Sequence, residues 1–208
     1  MRREDPNRIA TAEELRAIIG EPNPVTPLKI DAALNDTARA FIARSPFLLL
    51  STSDPGGHQE VSPKGDRPGF VALEDERTLL IPDRKGNRLV MGLKNILQNP
   101  QVGTLFLIPG TPETLRVNGT AELTRDPEIC RRLTARGEPA LLAIRVRVEE
   151  CFFHCAKAFL RAELWKPETW PERQRISFGR MLAPKIGGDD QVAAVIDEAI
   201  DLDARTNL

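Results

Sequence analysis

The run Asp83-Arg84-Lys85-Gly86-Asn87-Arg88 places three cations around a glycine, between an apolar stretch over 78–82 and another over 89–97. Strand, basic turn, helix is the predicted order. Cations on a turn before a helix can meet an anion that the unpaired amides and positive dipole end of the helix also attract, so a phosphate suits the turn. A solvated charged connection would have the same composition. Two further polar interruptions of apolar strands favour a site: Ser62-Pro63-Lys64-Gly65-Asp66 upstream and Arg116-Val117-Asn118-Gly119 downstream.

A second group of reactive types lies in Cys151-Phe152-Phe153-His154-Cys155. Imidazole and thiolates are metal ligands. The other histidine, His58, is far away in the chain and no fourth ligand is evident, so no metal is expected. His154 instead suits proton transfer near neutral pH, and Lys157 and Arg161 suit an anionic substrate group. At i,i+4 spacing those two cations would equally form the exposed face of a short helix. With no tyrosine in the chain, tyrosine acid–base chemistry is excluded.

The elements that must position these residues follow from pattern. Thr11 and Glu14 stand at capping-box spacing before Leu15, Ile18 and Ile19, with Gly20 as the stop, which predicts a first helix whose apolar face docks on the body. Pro22, Pro24 and Pro27 make an extended connector, and a second helix is expected over 31–44. Strands are predicted over 47–53, 59–63, 70–73, 78–82, 102–108, 114–123 and 141–148, with Asp54-Pro55-Gly56-Gly57 turning the first hairpin. Helices are expected over 87–98, 126–136 and 191–202. Arg145 and Arg147 alternate with apolar residues and should lie on a surface or an interface. Strands so often consecutive in sequence fit an antiparallel barrel better than a doubly wound parallel sheet.

With 208 residues and 41% hydrophobic content the chain can bury one good core. Its 29 basic and 30 acidic residues give a net charge of -1, which argues against a nucleic-acid binder. No run reaches the roughly eighteen apolar residues of a membrane span. A cytoplasmic protein with reduced thiols at Cys130, Cys151 and Cys155 is expected. GxGxxG, GxxxxGK[ST] and HExxH motifs are absent.

In this order, the Asp-Pro-Gly-Gly hairpin, Ser-Pro-Lys-Gly, Arg-Lys-Gly-Asn-Arg, Arg-Val-Asn-Gly and the segment from Cys151 to Trp165 resemble the pyridoxamine 5′-phosphate oxidase-like, FMN-binding split-barrel family. The late segment is most similar to an uncharacterised, FMN-dependent branch. The resemblance implies a mainly β protein with flanking helices, built on a six-stranded antiparallel split barrel. It implies a core over 46–165, between a helical extension over 1–45 and a C-terminal extension over 166–208. It also implies a homodimer with FMN at the interface. Cofactor contacts would come from Ser62, Lys64, Ile81, Pro82, Asp83, Arg84, Lys85, Gly86, Asn87, Arg88, Arg116 and Asn118. His154, Lys157, Arg161 and Trp165 would line the substrate pocket, with His154 the catalytic candidate. Phe152, Phe153 and Trp165 either pack on the flavin ring or belong to the core.

The expected activity is that of an FMN-dependent oxidoreductase acting on a small molecule, with oxygen or a nicotinamide as the other redox partner. A flavin carrier or sensor is the alternative, and relatives of this fold also leave a deazaflavin or a haem open. Residues 176–208 contain no histidine, so the Arg-x-His arrangement typical of the vitamin-forming enzymes is missing.

Overall fold

Alternating burial along β1 (Phe47–Ser53) and β5 (Gln101–Leu107) shows why these segments form strands: every second side chain enters a common interior. The computed structural model describes Asp5 and residues 7–207. The remaining strands are β2 (Gln59–Gly65), β3 (Ala72–Asp75), β4 (Thr78–Asp83), β6 (Thr114–Thr124) and β7 (Leu142–His154). Helices α1 (Ala12–Ile19), α2 (Asp36–Arg44), α3 (Met91–Gln98), α4 (Pro127–Arg132), α5 (Lys157–Arg161), α6 (Phe178–Leu182) and α7 (Asp190–Thr206) flank them.

The strands pair antiparallel in the order β2-β1-β5-β6-β7-β4-β3. The sheet therefore has the seven strands that the pattern predicts, one more than the six-stranded barrel implied by the resemblance, because the short β3 adds to the edge of β4. Leu48, Leu50, Leu79, Ile81, Phe106, Leu115, Val117, Ile144 and Val146 fill the interior. Consecutive Leu79-Leu80-Ile81 of β4 are all fully buried, since Leu80 faces a second cluster with Leu133, Ala140 and Ala143 behind α4. Burying each of these side chains contributes on the order of 1.5–3 kcal/mol.

Several expected boundaries move. α2 starts at Asp36, five residues late: Asn35 caps it, while Asp31 exchanges backbone hydrogen bonds with Cys151 at 3.0 and 2.7 Å along the edge of β7. β7 continues to His154, well beyond residue 148. α1 forms with its full capping box, yet it buries none of its residues and leaves Ile18 and Ile19 65% and 70% exposed. Its apolar face does not dock on the body, contrary to expectation. Arg145 lies on the outer face, where it donates to both Glu74 and Glu122 at 2.8 Å.

Between Asn118 and Gly119 the β6–β7 register slips by one residue, pairing Asn118 with Glu150 but Gly119 with Val148. Glu149 is the extra residue of this bulge. The two backbones come so close there that a Cβ on Gly119 would stand 1.9 Å from the Arg147 carbonyl oxygen. No helix among the described residues is long and apolar enough to cross a membrane.

Candidate functional site

β4 ends at Asp83, and seven residues pass before α3 begins at Met91. The basic residues thus sit in a loop ahead of the helix and not in its first turn, contrary to the expected helix start near residue 87. Arg88 (φ 60°) and Val90 (φ 50°) both occupy the left-handed region within that loop. For a β-branched valine this is a strained conformation, of the kind found where loops are shaped for binding.

The loop forms one wall of a cleft of about 980 Å3. β2 supplies Ser62 and Lys64, β4 supplies Pro82 and Asp83, and the loop supplies Arg84, Lys85, Gly86, Asn87 and Arg88. Nine of the sequence-predicted cofactor residues are therefore brought together. Ile81 lies fully buried in the core below them. Phe70, Leu89, Val90, Met91, Leu93 and Leu141 add an apolar lining.

The cations of this cleft are not equivalent. Lys64 Nζ donates to Asp83 Oδ1 at 2.6 Å, with both side chains largely buried, so its charge is already answered. Arg84 Nε lies 3.4 Å from Asp66 Oδ2 without hydrogen-bond geometry, and its Nε and Nη1 are buried without a partner. Unsatisfied guanidinium donors beside a cleft call for an acceptor. Lys85 and Arg88 are exposed at the mouth and have no carboxylate within 4 Å among the described residues. These three residues suit a phosphate, and the apolar lining suits a flat ring.

The other predicted residues lie outside this cleft. Arg116 and Phe152 stand opposite each other on β6 and β7, with the guanidinium carbon 5.2 Å from the ring centre. Lys29 Nζ lies 5.1 Å from the same ring and donates to the Phe153 carbonyl. His154 packs on Phe152 at 5.0 Å. Burial first, then Arg116 and Lys29, hold the His154 imidazole below the ordinary value of 6.5. Asn118 donates to Glu150 at 2.6 Å. Lys157 and Arg161 are exposed on α5, while Trp165 stacks on Phe159 and donates to the Thr111 carbonyl. Cys151 points into the core and donates to the Ala33 carbonyl, and burial followed by Asp31 pushes its thiol pKa up. Phe153 packs edge-on against Phe41.

The profile of one known family spans this arrangement: the model described as pyridoxamine 5′-phosphate oxidase matches residues 34–155, more than half of the chain. The chain belongs to the pyridoxamine 5′-phosphate oxidase family. Structures similar to this member of the family include HupZ of Group A Streptococcus, 18% identical, covering 58% of this chain and 93% of that chain with a TM-score of 0.47. An FMN-binding protein of Syntrophomonas wolfei is 12% identical, covering 56% and 88%, with a TM-score of 0.43. A Bacillus anthracis general stress protein 26 is 14% identical, covering 55% and 88%, with a TM-score of 0.43. No curated protein sequence matches.

Two features of the oxidase-family cleft and one of the group around Phe152 have no signal in the sequence. Asp66 closes a basic strand segment, yet its carboxylate stands beside Arg84. Asp203 and Asn207, at the end of α7, reach the cleft from the far end of the chain. Lys29 came from a proline-rich connector with no motif. None of these had a local signal, because each is placed by tertiary contact.

Proposed function

We propose that this cleft binds FMN and that the protein is a flavin-dependent oxidoreductase acting on a small molecule. The observation that carries this reading is the trio of Arg84, Lys85 and Arg88, which offers donors without acceptors beside an apolar wall. An FMN phosphate bears about two charges near neutral pH and takes several charge-assisted hydrogen bonds. Membership of the oxidase family supports the same ligand. Bound FMN supplies the two-electron chemistry, and the protein contributes binding and orientation.

Arg84, Lys85 and Arg88 would hold the phosphate, Ser62 and Asn87 would meet the ribityl hydroxyls, and Leu89, Met91 and Leu141 would cover the ring. We further propose a two-fold homodimer in which Arg116, Asn118, His154, Lys157, Arg161 and Trp165 approach the flavin of the other subunit. Exposed Val61, Leu89, Met91 and Leu141 offer apolar surface for such a contact. The core over 46–165 would then carry the chemistry, with the extension over 166–208 covering the cleft.

One observation favours a flavin carrier instead: among the described residues no histidine or cysteine lines the cleft. An absorbance spectrum from 300 to 700 nm, followed by anaerobic addition of NADH or NADPH, separates the two. Flavin bands that bleach support the oxidoreductase, and bands that persist support the carrier. A colourless protein that leaves added FMN unbound overturns both.

A further inference from the structure

On the far side of Arg84 lies a second, smaller cavity of about 310 Å3, walled by the 66–70 loop, β3, the end of α4 and the turn at 135–138. Four arginines line it, Arg67, Arg84, Arg132 and Arg136, against the single carboxylate of Asp66. We infer that this cavity is a second anion site that takes a phosphate group, distinct from the proposed flavin site and sharing one wall with it through Arg84.

The charge balance is the first argument. Asp66 is 5% exposed at its side chain, and both of its ion pairs are loose: Arg84 Nε at 3.4 Å and Arg136 Nη1 at 3.7 Å. Tight charge-assisted contacts close to about 2.7–2.9 Å. Asp66 Oδ2 and two nitrogens of Arg84 are buried without hydrogen bonds. One carboxylate thus holds two arginines at arm's length, and Arg67 and Arg132 add charge with no carboxylate within 4 Å among the described residues. With Arg84 shared with the larger cleft, Arg67, Arg132 and Arg136 against Asp66 leave an excess of two positive charges around a small concavity, which a phosphate dianion neutralises.

The second argument is that the arginines are built in place. Arg132 Nη2 donates to the Leu73 carbonyl at 2.5 Å, which ties its guanidinium to the end of β3. Ala135 and Glu138 exchange both backbone hydrogen bonds at 3.0 Å, closing a tight turn around Arg136 and Gly137. Both of those residues have positive φ, 51° and 85°. Glycine takes that conformation freely, whereas arginine does so under strain, and the result is that Arg136 stands over the cavity. Leu133, which precedes this turn, is anchored in the cluster with Leu80 and Ala143.

The test uses the full chain with FMN added to saturation, and titrates inorganic phosphate and glycerol 3-phosphate by calorimetry, with sodium chloride at matched ionic strength as control. The expected result is one saturable phosphate site per chain, weakened at least tenfold in Arg132→Ala/Arg136→Ala, whose affinity for FMN is unchanged. Tighter binding of glycerol 3-phosphate identifies a phosphate monoester as the ligand class, and tighter binding of inorganic phosphate identifies the free anion. Both support the site. No saturable heat in the wild type, or undiminished heat in the double variant, overturns it. Should the double variant fail to fold, Arg67→Gln, on an exposed side chain, carries the same expectation. Arg67, Arg132 and Arg136 do not line the larger cleft, so their effect is read whether or not flavin binds there.

Discussion

Lys64 on β2 and Asp83 at the end of β4 meet at 2.6 Å, although four strands separate β2 from β4 in the sheet order. The sheet must curl on itself to bring them together, so this ion pair is a clasp across the open side of the barrel. The pair also sits in the candidate cofactor cleft, which makes barrel closure and cleft shape one event.

Removing one partner strands the other in a largely buried place. Lys64→Met or Asp83→Asn should destabilise the flavin-free protein by about 1–3 kcal/mol. Replacing both residues should recover most of that loss. Urea unfolding of the three variants checks it, and single variants as stable as the parent would refute the clasp.

Lys85 and Arg88 have no competing carboxylate, so their removal should act on binding and not on folding. Lys85→Ala and Arg88→Ala should each weaken FMN binding by roughly tenfold to a hundredfold, the worth of one charge-assisted hydrogen bond. Fluorescence titration of FMN measures this. Lys85→Ala/Arg88→Ala with undiminished affinity would sink the phosphate assignment.

Gly179 on α6 packs so closely on α7 that a Cβ there would lie 1.9 Å from the Ala193 carbonyl oxygen. Its amide also donates to Asp197 at 2.8 Å. Gly179→Ala should therefore undock α7 while leaving the barrel intact. Hydrogen exchange should quicken across α7 and stay slow in β5 and β6. Uniformly faster exchange would show that the C-terminal helices and the barrel unfold as one.

The low His154 pKa gives a pH dependence of definite sign. The unfolded chain takes up a proton near 6.5, whereas the folded chain resists it to lower pH, so stability falls as pH drops below 6.5 and levels off below the folded value. Melting curves of the parent and His154→Gln between pH 7.5 and 5 should diverge, with the parent losing more on the acid side. Parallel curves would contradict this.

The strands and the membership of the cleft were legible from sequence because both are written locally. Alternation marks β1 and β5, and the loop cations follow β4 directly. What the chain does with its charges was not legible. Lys64, expected with Lys85 among the cofactor contacts, is neutralised by Asp83, and Arg84 leans on Asp66; both pairings join strands or loops distant in sequence. The apolar stripe on α1 predicted docking because periodicity reports a face and not what covers it. β7 outran its expected end because β6 pairs with it as far as His154, while Asp31 holds Cys151 at the other edge across 120 residues.

Glu149 acts on β7 like a single inserted letter in a two-letter code. Ahead of it the even positions 144, 146 and 148 face inward, and behind it the inward place falls to Cys151. Phe152 and His154 owe their outward aim to its being left out of the pairing, and with it the company of Arg116 and Lys29. Drawing Glu149 into the ladder, so that the pairing ran without a slip, would exchange the two rows, sending the imidazole toward the interior and the thiol toward solvent.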